Sequence, residues 1–329
     1  MTAERQKRSW KGVALRLGGS AVALTLLLWM LPLDELWAAM RRLPLWVFLL
    51  TLAGYLTVHL VATLKWRMMV NTAGAGLAFA PAARCYFAGL FGNVFLPSLV
   101  GGDLIRAGMA MRSAQHRAGA LLASLVDRIL DLAAMALLAA LGALLVQRAL
   151  DERGRRVLFL LAGMAAVGVL AAGLLAAFFP ARRFSIRRRR KLVKLRQAVR
   201  AMARRPGRVA AVFALAVAIQ TSFVMLNAWM AVWCGLDLPL HVWLFAYPLG
   251  KLSAMLPVTQ GGIGVREAAL AALLLPFGVP AVLTVAVGLI WEVVVVSGGL
   301  VGGGIALLAG SRLVTTGDAE GAEAVKVGS

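Results

Sequence analysis

Two short stretches of the chain combine residue types that can bind an anion, and they resemble each other. Residues 96–106 (LPSLVGGDLIR) align with residues 256–266 (LPVTQGGIGVR) at an offset of 160, where leucine, proline, both glycines and arginine coincide. A helix restarting after paired glycines offers free N–H groups and a partial positive charge, and an arginine one turn inside it can donate two hydrogen bonds to a phosphate. We therefore predict an anion site with these contributors: Arg106, Arg266, Gly101, Gly102, Gly261, Gly262 and Asn93.

Acidic residues close to both arginines leave a second interpretation open. Asp103, a predicted N-cap, and Glu267 could simply neutralise Arg106 and Arg266. Intramembrane charges are functional by default but are usually paired, so both interpretations stand. Lys251 is expected to snorkel towards water or to pair locally.

A second group of charges lies within a long apolar run. Asp127 and Asp131 are one helical turn apart and share a face, with Arg128 between them. A charge at the bilayer centre costs about 2.5–3.5 kcal/mol on insertion scales, so these residues predict a polar interior. They form either a coupling or gating group together with Asp103, Glu267 and Glu292, or an ion-pair lock between Arg128 and one of the two aspartates. Glu292 either faces the pathway or snorkels.

The composition places these charges in a membrane protein. Hydrophobic residues make up 61% of the 329-residue chain, against about 45–50% in soluble domains. The formal charge of +21 does not indicate a nucleic-acid-binding surface, because 13 of the 35 basic residues fall within 182–208, where no acidic residue occurs. Neither a metal site nor a cofactor motif is recognised.

Long apolar runs predict the elements that position the site. A spanning helix needs about 20 apolar residues, and we predict six spans: 13–33, 45–64, 118–147, 157–179, 209–233 and 282–308. Proline and paired glycines interrupt residues 82–112 and 241–279, which are predicted re-entrant hairpins. The predicted fold is an all-α polytopic membrane domain over 1–310 with a disordered tail over 311–329; the alternative has eight spans. Two overlapping small-xxx-small pairs predict close helix packing in the last span: Gly298, Gly299, Gly302 and Gly303.

The offset of 160 extends beyond the two broken stretches. It carries 118–147 onto 278–307, which gives a first repeat of about 45–147 and a second of about 205–308. Because basic loops lie in the cytoplasm, the tract at 182–208 orients the second repeat opposite to the first, with both termini cytoplasmic. The arginines of 148–156 argue against this scheme.

The basic loop at 180–208 has a helical pattern of its own. Apolar residues recur between its arginines at helical spacing, which predicts an amphipathic helix held by anionic lipids of the inner leaflet. The alternative is that its charges only set the topology.

At these motifs the chain resembles the lysylphosphatidylglycerol synthase transmembrane-region family, whose members are also called flippase-like. The resemblance rests on Asn93–Ser98 with the glycines, Asp103 and Arg106 that follow, on Ser124–Arg128 with Asp131, and on Leu256–Pro257 with Gly261–Glu267. It implies a bacterial inner-membrane protein related to the flippase half of the multiple peptide resistance factor, which moves aminoacylated phosphatidylglycerol between leaflets. The chain ends about 20 residues after the last span, so no aminoacyl-transferase domain is expected and any lipid synthase would be a separate partner.

These observations support one principal expectation and two alternatives. The principal one is a flippase-like transporter, without catalytic residues, for an anionic phospholipid or glycolipid. The alternatives are a membrane-embedded lipid-modifying enzyme that uses Asp127 and Asp131 as acid and base, and a scaffold for a separate lipid synthase.

Overall fold

The structure, a computed structural model, describes residues 32–95, 101–146, 204–254 and 262–326, together with Thr25 and Glu152. Within these residues the secondary structure is helical throughout, with no strand. Nine α-helices follow in chain order: α1 (Leu33–Arg41), α2 (Leu45–Thr72), α3 (Phe79–Phe95), α4 (Gly101–Ser113), α5 (Arg117–Val146), α6 (Pro206–Trp233), α7 (Leu240–Ser253), α8 (Val265–Leu274) and α9 (Ala281–Lys326).

Four of these helices are long and apolar enough to cross a membrane. They are α2, α5, α6 and the first 28 residues of α9, Ala281–Leu308. At about 1.5 Å per residue, 28 residues exceed the hydrocarbon thickness of about 30 Å. The predicted spans 45–64, 118–147, 209–233 and 282–308 are thus present, and the chain is an all-α polytopic membrane protein. The predicted spans 13–33 and 157–179 lie almost entirely outside the described residues.

The structure differs from the sequence-based expectation in two segments, one before α2 and one after the last predicted span. The loop expected after the first span contains α1, whose buried Leu36 and Ala39 pack against the start of α9. Helix α9 continues as far as Lys326, through most of the segment 311–329 that is predicted as a disordered tail. Of the basic loop, only residues 204–208 are described; α6 begins there, with Pro206 in its first turn.

The helices repeat along the chain in the same order. A shift of 161 residues carries the bounds of α2 onto those of α6, and the start of α3 onto that of α7. Both α2 and α6 end in a glycine with positive φ, at Gly74 (+84°) and Gly235 (+88°). After each glycine, the next N–H donates to the carbonyl five residues earlier, the Schellman cap. The shift is therefore 161 before the broken stretches and 160 at the two arginines.

In each repeat the two short helices fold back on each other. Antiparallel α3 and α4 are joined where the Gly102 N–H donates to Asn93 Oδ1 at 3.0 Å, and Gly89 lies further along beside Arg106. In the second repeat Gly262 lies against Ala254, and Gly250 lies against Leu270. We refer to α3–α4 as hairpin 1 and to α7–α8 as hairpin 2.

Each hairpin packs on the last helix of the other repeat. Helix α3 packs along α9, and helix α7 packs along α5. Glycines allow the close approach: Gly142 of α5 faces the backbone of Leu244 and Phe245 in α7. The predicted close packing of the last span is confirmed, since its four glycines lie against Tyr55, Val94, Phe87 and Phe91, respectively.

The first helices of the two repeats, α2 and α6, run antiparallel. The ring of Trp46, at the start of α2, lies 4.9 Å from that of Trp233, at the end of α6. At the opposite end, Trp66 of α2 shares a buried apolar cluster with Val212 of α6. The two repeats therefore contribute equivalent helices of opposite direction to one domain.

Candidate functional site

A cavity of about 270 Å³ lies between the two hairpins, where both repeats contribute to its wall. Hairpin 1 provides Arg106 and hairpin 2 provides Arg266, so the two arginines that correspond in sequence line the same space. Seven charged residues line it: Asp103, Arg106, Arg128, Asp131, Lys251, Arg266 and Glu292. Aromatic rings cover much of the remaining wall: Tyr55, Tyr86, Phe223, Tyr247 and Trp291.

Arg106 keeps hydrogen-bond donors that its protein partners do not use. Its Nη2 lies 3.1 Å from Asp103 Oδ1 and 3.7 Å from Asp127 Oδ2, while the guanidinium carbon lies 5.1 Å from the rings of Trp66 and Tyr86. The side chain is only 8% exposed. Among the described residues its buried Nε has no hydrogen-bond partner, and a buried unpaired donor is unfavourable unless a ligand satisfies it.

The prediction that Asp103 is the N-cap of α4, the second helix of hairpin 1, is wrong. Helix α4 already begins at Gly101, so Asp103 lies within its first turn and is not the N-cap. Asn93, a predicted binding residue, lines the cavity, and its Oδ1 accepts the Gly102 N–H and closes the hairpin. The Asp103 carboxylate pairs with Arg106 and, at 3.6 Å, with Arg128 Nε.

Lys65 joins the two aspartates of α5, and the sequence analysis missed it. Its Nζ lies 2.9 Å from Asp127 Oδ1 and 2.5 Å from Asp131 Oδ1. The aspartates therefore share a face, as predicted, but the predicted lock with Arg128 is wrong because Arg128 pairs with Asp103. The signal for Lys65 was its position directly after the predicted span 45–64, where a charge within a continuing helix needs a partner.

Arg266 is held from several sides. Its Nε donates to Glu267 Oε1 at 3.0 Å, its Nη2 donates to the Gly288 carbonyl at 2.9 Å, and its Nη1 lies 3.0 Å from Glu292 Oε2. Glu267 is fully buried, and its Oε2 accepts the N–H of Gly264, whose φ is +83°. All three guanidinium nitrogens are thus engaged, and Glu292 lines the cavity.

Lys251 also lines the cavity, where the sequence analysis expected snorkelling or a local pair. Its Nζ donates to Gln220 Oε1 at 3.1 Å and lies 4.7 Å from the centre of the Phe223 ring. Both partners belong to α6. The signal that could have found this region is the shift of 161, which relates Gln220 to His59 and Tyr247 to Tyr86, all four in the cavity wall.

The described site is formally balanced in charge. Five cations (Lys65, Arg106, Arg128, Lys251 and Arg266) face five carboxylates (Asp103, Asp127, Asp131, Glu267 and Glu292) in and directly behind the wall. Positive character is therefore local and depends on which cations are paired. Among the glycines, Gly102 lines the cavity, Gly101 and Gly262 are buried beside it, and Gly261 lies outside the described residues.

Comparison with known proteins agrees with this architecture. No curated protein matches the chain. The family model described as Lysylphosphatidylglycerol synthase TM region matches residues 13–303, which include the first repeat, nearly all of the second, both hairpins and the whole cavity. The chain is therefore an integral membrane protein that belongs to the Lysylphosphatidylglycerol synthase TM region family, a family with a lipid-related function.

Proposed function

We propose that this protein is a flippase-like transporter that moves a phospholipid or glycolipid with an anionic headgroup between the leaflets of a bacterial inner membrane. The observation that carries the proposal is the shared cavity, which is lined by Arg106, whose Nε has no hydrogen-bond partner among the described residues. A guanidinium suits phosphate because its planar donors match the phosphate oxygens. In this proposal Arg106 contacts the phosphate, and Arg266 lines the same cavity from the opposite hairpin.

The cavity volume suits a headgroup. At about 270 Å³ it falls just below the range of about 300–1,000 Å³ that drug-sized ligands occupy. The acyl chains would therefore stay among the apolar surfaces of the spanning helices, while the polar group enters the protein. A lipid can cross in this way without exposing its charge to hydrocarbon.

The arrangement of the repeats supports an alternating-access mechanism. Antiparallel α2 and α6 and the two folded-back hairpins are features of an inverted repeat, in which broken helices form a site near the bilayer midplane. The hairpin helices have 17, 13, 14 and 10 residues, which at about 1.5 Å per residue is shorter than the hydrocarbon core. We therefore propose that both hairpins are re-entrant and that movement of one repeat against the other exposes the headgroup to each leaflet in turn.

The ion pairs would supply counter-charge during this movement. Asp103 lines the cavity and contacts Arg106, so it can release that arginine when a phosphate takes its place. Glu292 lines the cavity beside Arg266 and belongs with Asp103 to the proposed gate. Asp131 and Arg128 line the same wall and belong to the same proposed gate. The chain carries no recognised nucleotide motif, and we propose a gradient or mass action as the driving force.

Reconstitution in liposomes tests the proposal. Purified protein is inserted with fluorescent phosphatidylglycerol, and dithionite quenching of the outer leaflet measures translocation. We expect the wild type to translocate, and the double variant Arg106→Gln/Arg266→Gln to lose at least about tenfold in rate, since charge-assisted hydrogen bonds are lost. Arg117→Gln, at an exposed position, is the matched control.

Two outcomes would reject parts of the proposal. Wild-type activity in the double variant would exclude this site, and an inactive wild type with both phospholipid and glycolipid probes would exclude the function. Chromatography of the recovered lipid distinguishes the enzyme hypothesis, since a transporter returns its lipid unchanged. The enzyme hypothesis is disfavoured because Asp127, one of its two acid–base residues, lies behind the cavity wall, paired with Lys65.

Further proposals concern the orientation of the protein in the membrane, its basic loop and the source of its substrate. We propose that both termini are cytoplasmic, that the basic loop at 180–208 lies on anionic lipids, and that a separate lipid synthase supplies the substrate. The described start of α6 supports the orientation, because Arg204, Arg205 and Arg208 cluster there.

A further inference from the structure

Lys251 differs from the other cations of the cavity wall. Arg106, Arg128 and Arg266 each form an ion pair with a carboxylate. Lys251 forms none with the described residues, where its contacts are the Gln220 amide and the Phe223 ring. The sequences of the two break segments, 96–100 and 255–261, contain no aspartate or glutamate. They therefore cannot provide the missing counter-charge.

The geometry around Lys251 leaves donors for a ligand. An ammonium group has three N–H donors, and Gln220 Oε1 accepts one of them at 3.1 Å. The ring of Phe223, 4.7 Å away, covers another side. Lys251 is half-buried, and a cation held away from bulk water without an anionic partner is unfavourable, so this ammonium group is most stable when an anion occupies the cavity.

Arg266 is poorly suited to bind an anion in the cavity. Two glutamates and the Gly288 carbonyl engage all of its guanidinium nitrogens, and Glu267 is fully buried beneath it. Binding an anion there would require breaking ion pairs that hold α8 to α9. The correspondence of the two arginines in sequence therefore does not extend to their bonding, and hairpin 2 offers its available donors at Lys251.

We propose that Lys251, positioned by Gln220, is the hairpin 2 ligand for the phosphate ester of the substrate, and that it faces Arg106 of hairpin 1 across the cavity. The proposal rests on the proposed function and assigns the headgroup contact within it. Gln220 acts as a positioning residue, because its amide oxygen fixes the direction of the ammonium group. Arg266 then has a structural role, as the counter-ion of Glu267 and Glu292.

Direct binding tests this assignment independently of transport. Full-length protein in detergent is titrated with short-chain phosphatidylglycerol, glycerol 3-phosphate and inorganic phosphate, and heat or tryptophan fluorescence reports the affinity. Lys251→Gln is expected to weaken phosphate-ester binding about tenfold or more, the loss of one charge-assisted hydrogen bond. Lys251→Arg should retain most of the affinity, and Gln220→Leu should weaken binding less than Lys251→Gln.

The three ligands distinguish a lipid phosphate from a free phosphate. The variants distinguish failure of the Lys251 assignment from failure of the proposed function. Tighter binding of phosphatidylglycerol than of the two soluble phosphates supports a lipid ligand, whereas equal or weaker binding overturns it in favour of a free phosphate site. Arg112→Gln, an exposed change of the same charge, should bind as the wild type does, and thermal unfolding of Lys251→Gln checks its fold. Unchanged affinity in a folded Lys251→Gln overturns the assignment even if the wild type translocates lipid. Lost binding together with an inactive wild type would overturn only the proposed function.

Discussion

At the residue scale, Lys65 is unusual because its single positive charge pairs with two carboxylates, those of Asp127 and Asp131. Lys65 is 2% exposed, and its Nζ contacts both Asp127 and Asp131 from a different helix. Asp127 receives a second positive charge from Arg106, 3.7 Å away. Lys65, Asp127, Asp131 and Arg106 therefore link α2, α4 and α5 in and directly behind the cavity wall. Loss of Lys65, which does not line the cavity, should affect stability before it affects binding.

Replacement of Lys65 by methionine tests this structural role. The substitution preserves the apolar length of the side chain but leaves Asp127 and Asp131 buried without their main partner. We expect a loss of about 3–5 kcal/mol in the free energy of unfolding, as for other broken buried ion pairs. Denaturant unfolding in detergent measures it. Addition of Asp127→Asn and Asp131→Asn should recover much of the loss, and no loss in the single variant would contradict the role.

The site residues whose roles could not be predicted from the sequence, Lys65 and Lys251, have one physical feature in common: their partners lie on other helices. Arg106, Arg266, Asp131 and Glu292 could be found because they lie in repeated motifs or within apolar runs. Lys65 lies just beyond a predicted span, and the role of Lys251 depends on Gln220 of another helix. Spacing along one helix predicts which side chains share a face, but it does not predict which helix supplies the partner. The pairing within the site therefore required the tertiary structure.

At the scale of elements, glycines set the distance between each hairpin and the helix that supports it. Gly142 of α5 faces the backbone of α7, where a methyl group would lie 2.6 Å from the carbonyl carbon of Leu244. Its counterpart Gly302 faces the more adaptable side chain of Phe87, 3.1 Å away. At these two corresponding positions the α5–α7 interface is therefore the less adaptable one, because Gly142 meets backbone where Gly302 first meets a side chain.

A pair of alanine variants tests the close approach of α5 and α7 at Gly142. Gly142→Ala should destabilise the protein by about 1–3 kcal/mol, because backbone atoms cannot move aside as a flexible side chain can. Gly304→Ala, where nothing lies within 4 Å, is the matched control in α9. It should be neutral or stabilising by about 0.5–1 kcal/mol, the helix propensity gained. Thermal unfolding compares them, and equal effects would argue against the tight interface.

The elements themselves were largely predictable. Apolar runs of more than 20 residues identified α2, α5, α6 and α9, because hydrocarbon allows few other structures. Two features were not predictable. Helix α1 forms because its apolar face meets α9, and the shift of 161 before the breaks became visible only through the equal helix caps at Gly74 and Gly235.

At the scale of the whole molecule, the exchange of hairpins between repeats couples their movements. Hairpin 1 packs on α9 and hairpin 2 packs on α5, each a helix of the other repeat. A change in the angle between the repeats therefore moves both walls of the cavity at once. This coupling is what alternating access requires, provided that the repeats have opposite orientations in the membrane.

The orientation can be measured at the loops that precede the hairpins. Ala78 lies before α3 and Asp237 lies before α7, and both are exposed. The basic residues at the start of α6 predict that this end lies in the cytoplasm, and the antiparallel direction of α2 and α6 then predicts opposite sides for these two loops. In a variant whose buried native cysteines, Cys85 and Cys234, are replaced by alanine, an impermeant thiol reagent should label Asp237→Cys from the periplasmic side of intact cells. Ala78→Cys should react only after the membrane is opened.

Each position serves as the control for the other, because both loops follow the same Schellman cap and differ only in the side of the membrane. Labelling of both from one side would mean that the two repeats are parallel. Hairpins 1 and 2 would then enter from the same face, and rocking one repeat against the other could not expose the cavity alternately to the two leaflets. Labelling from opposite sides is therefore the result on which the transport mechanism depends.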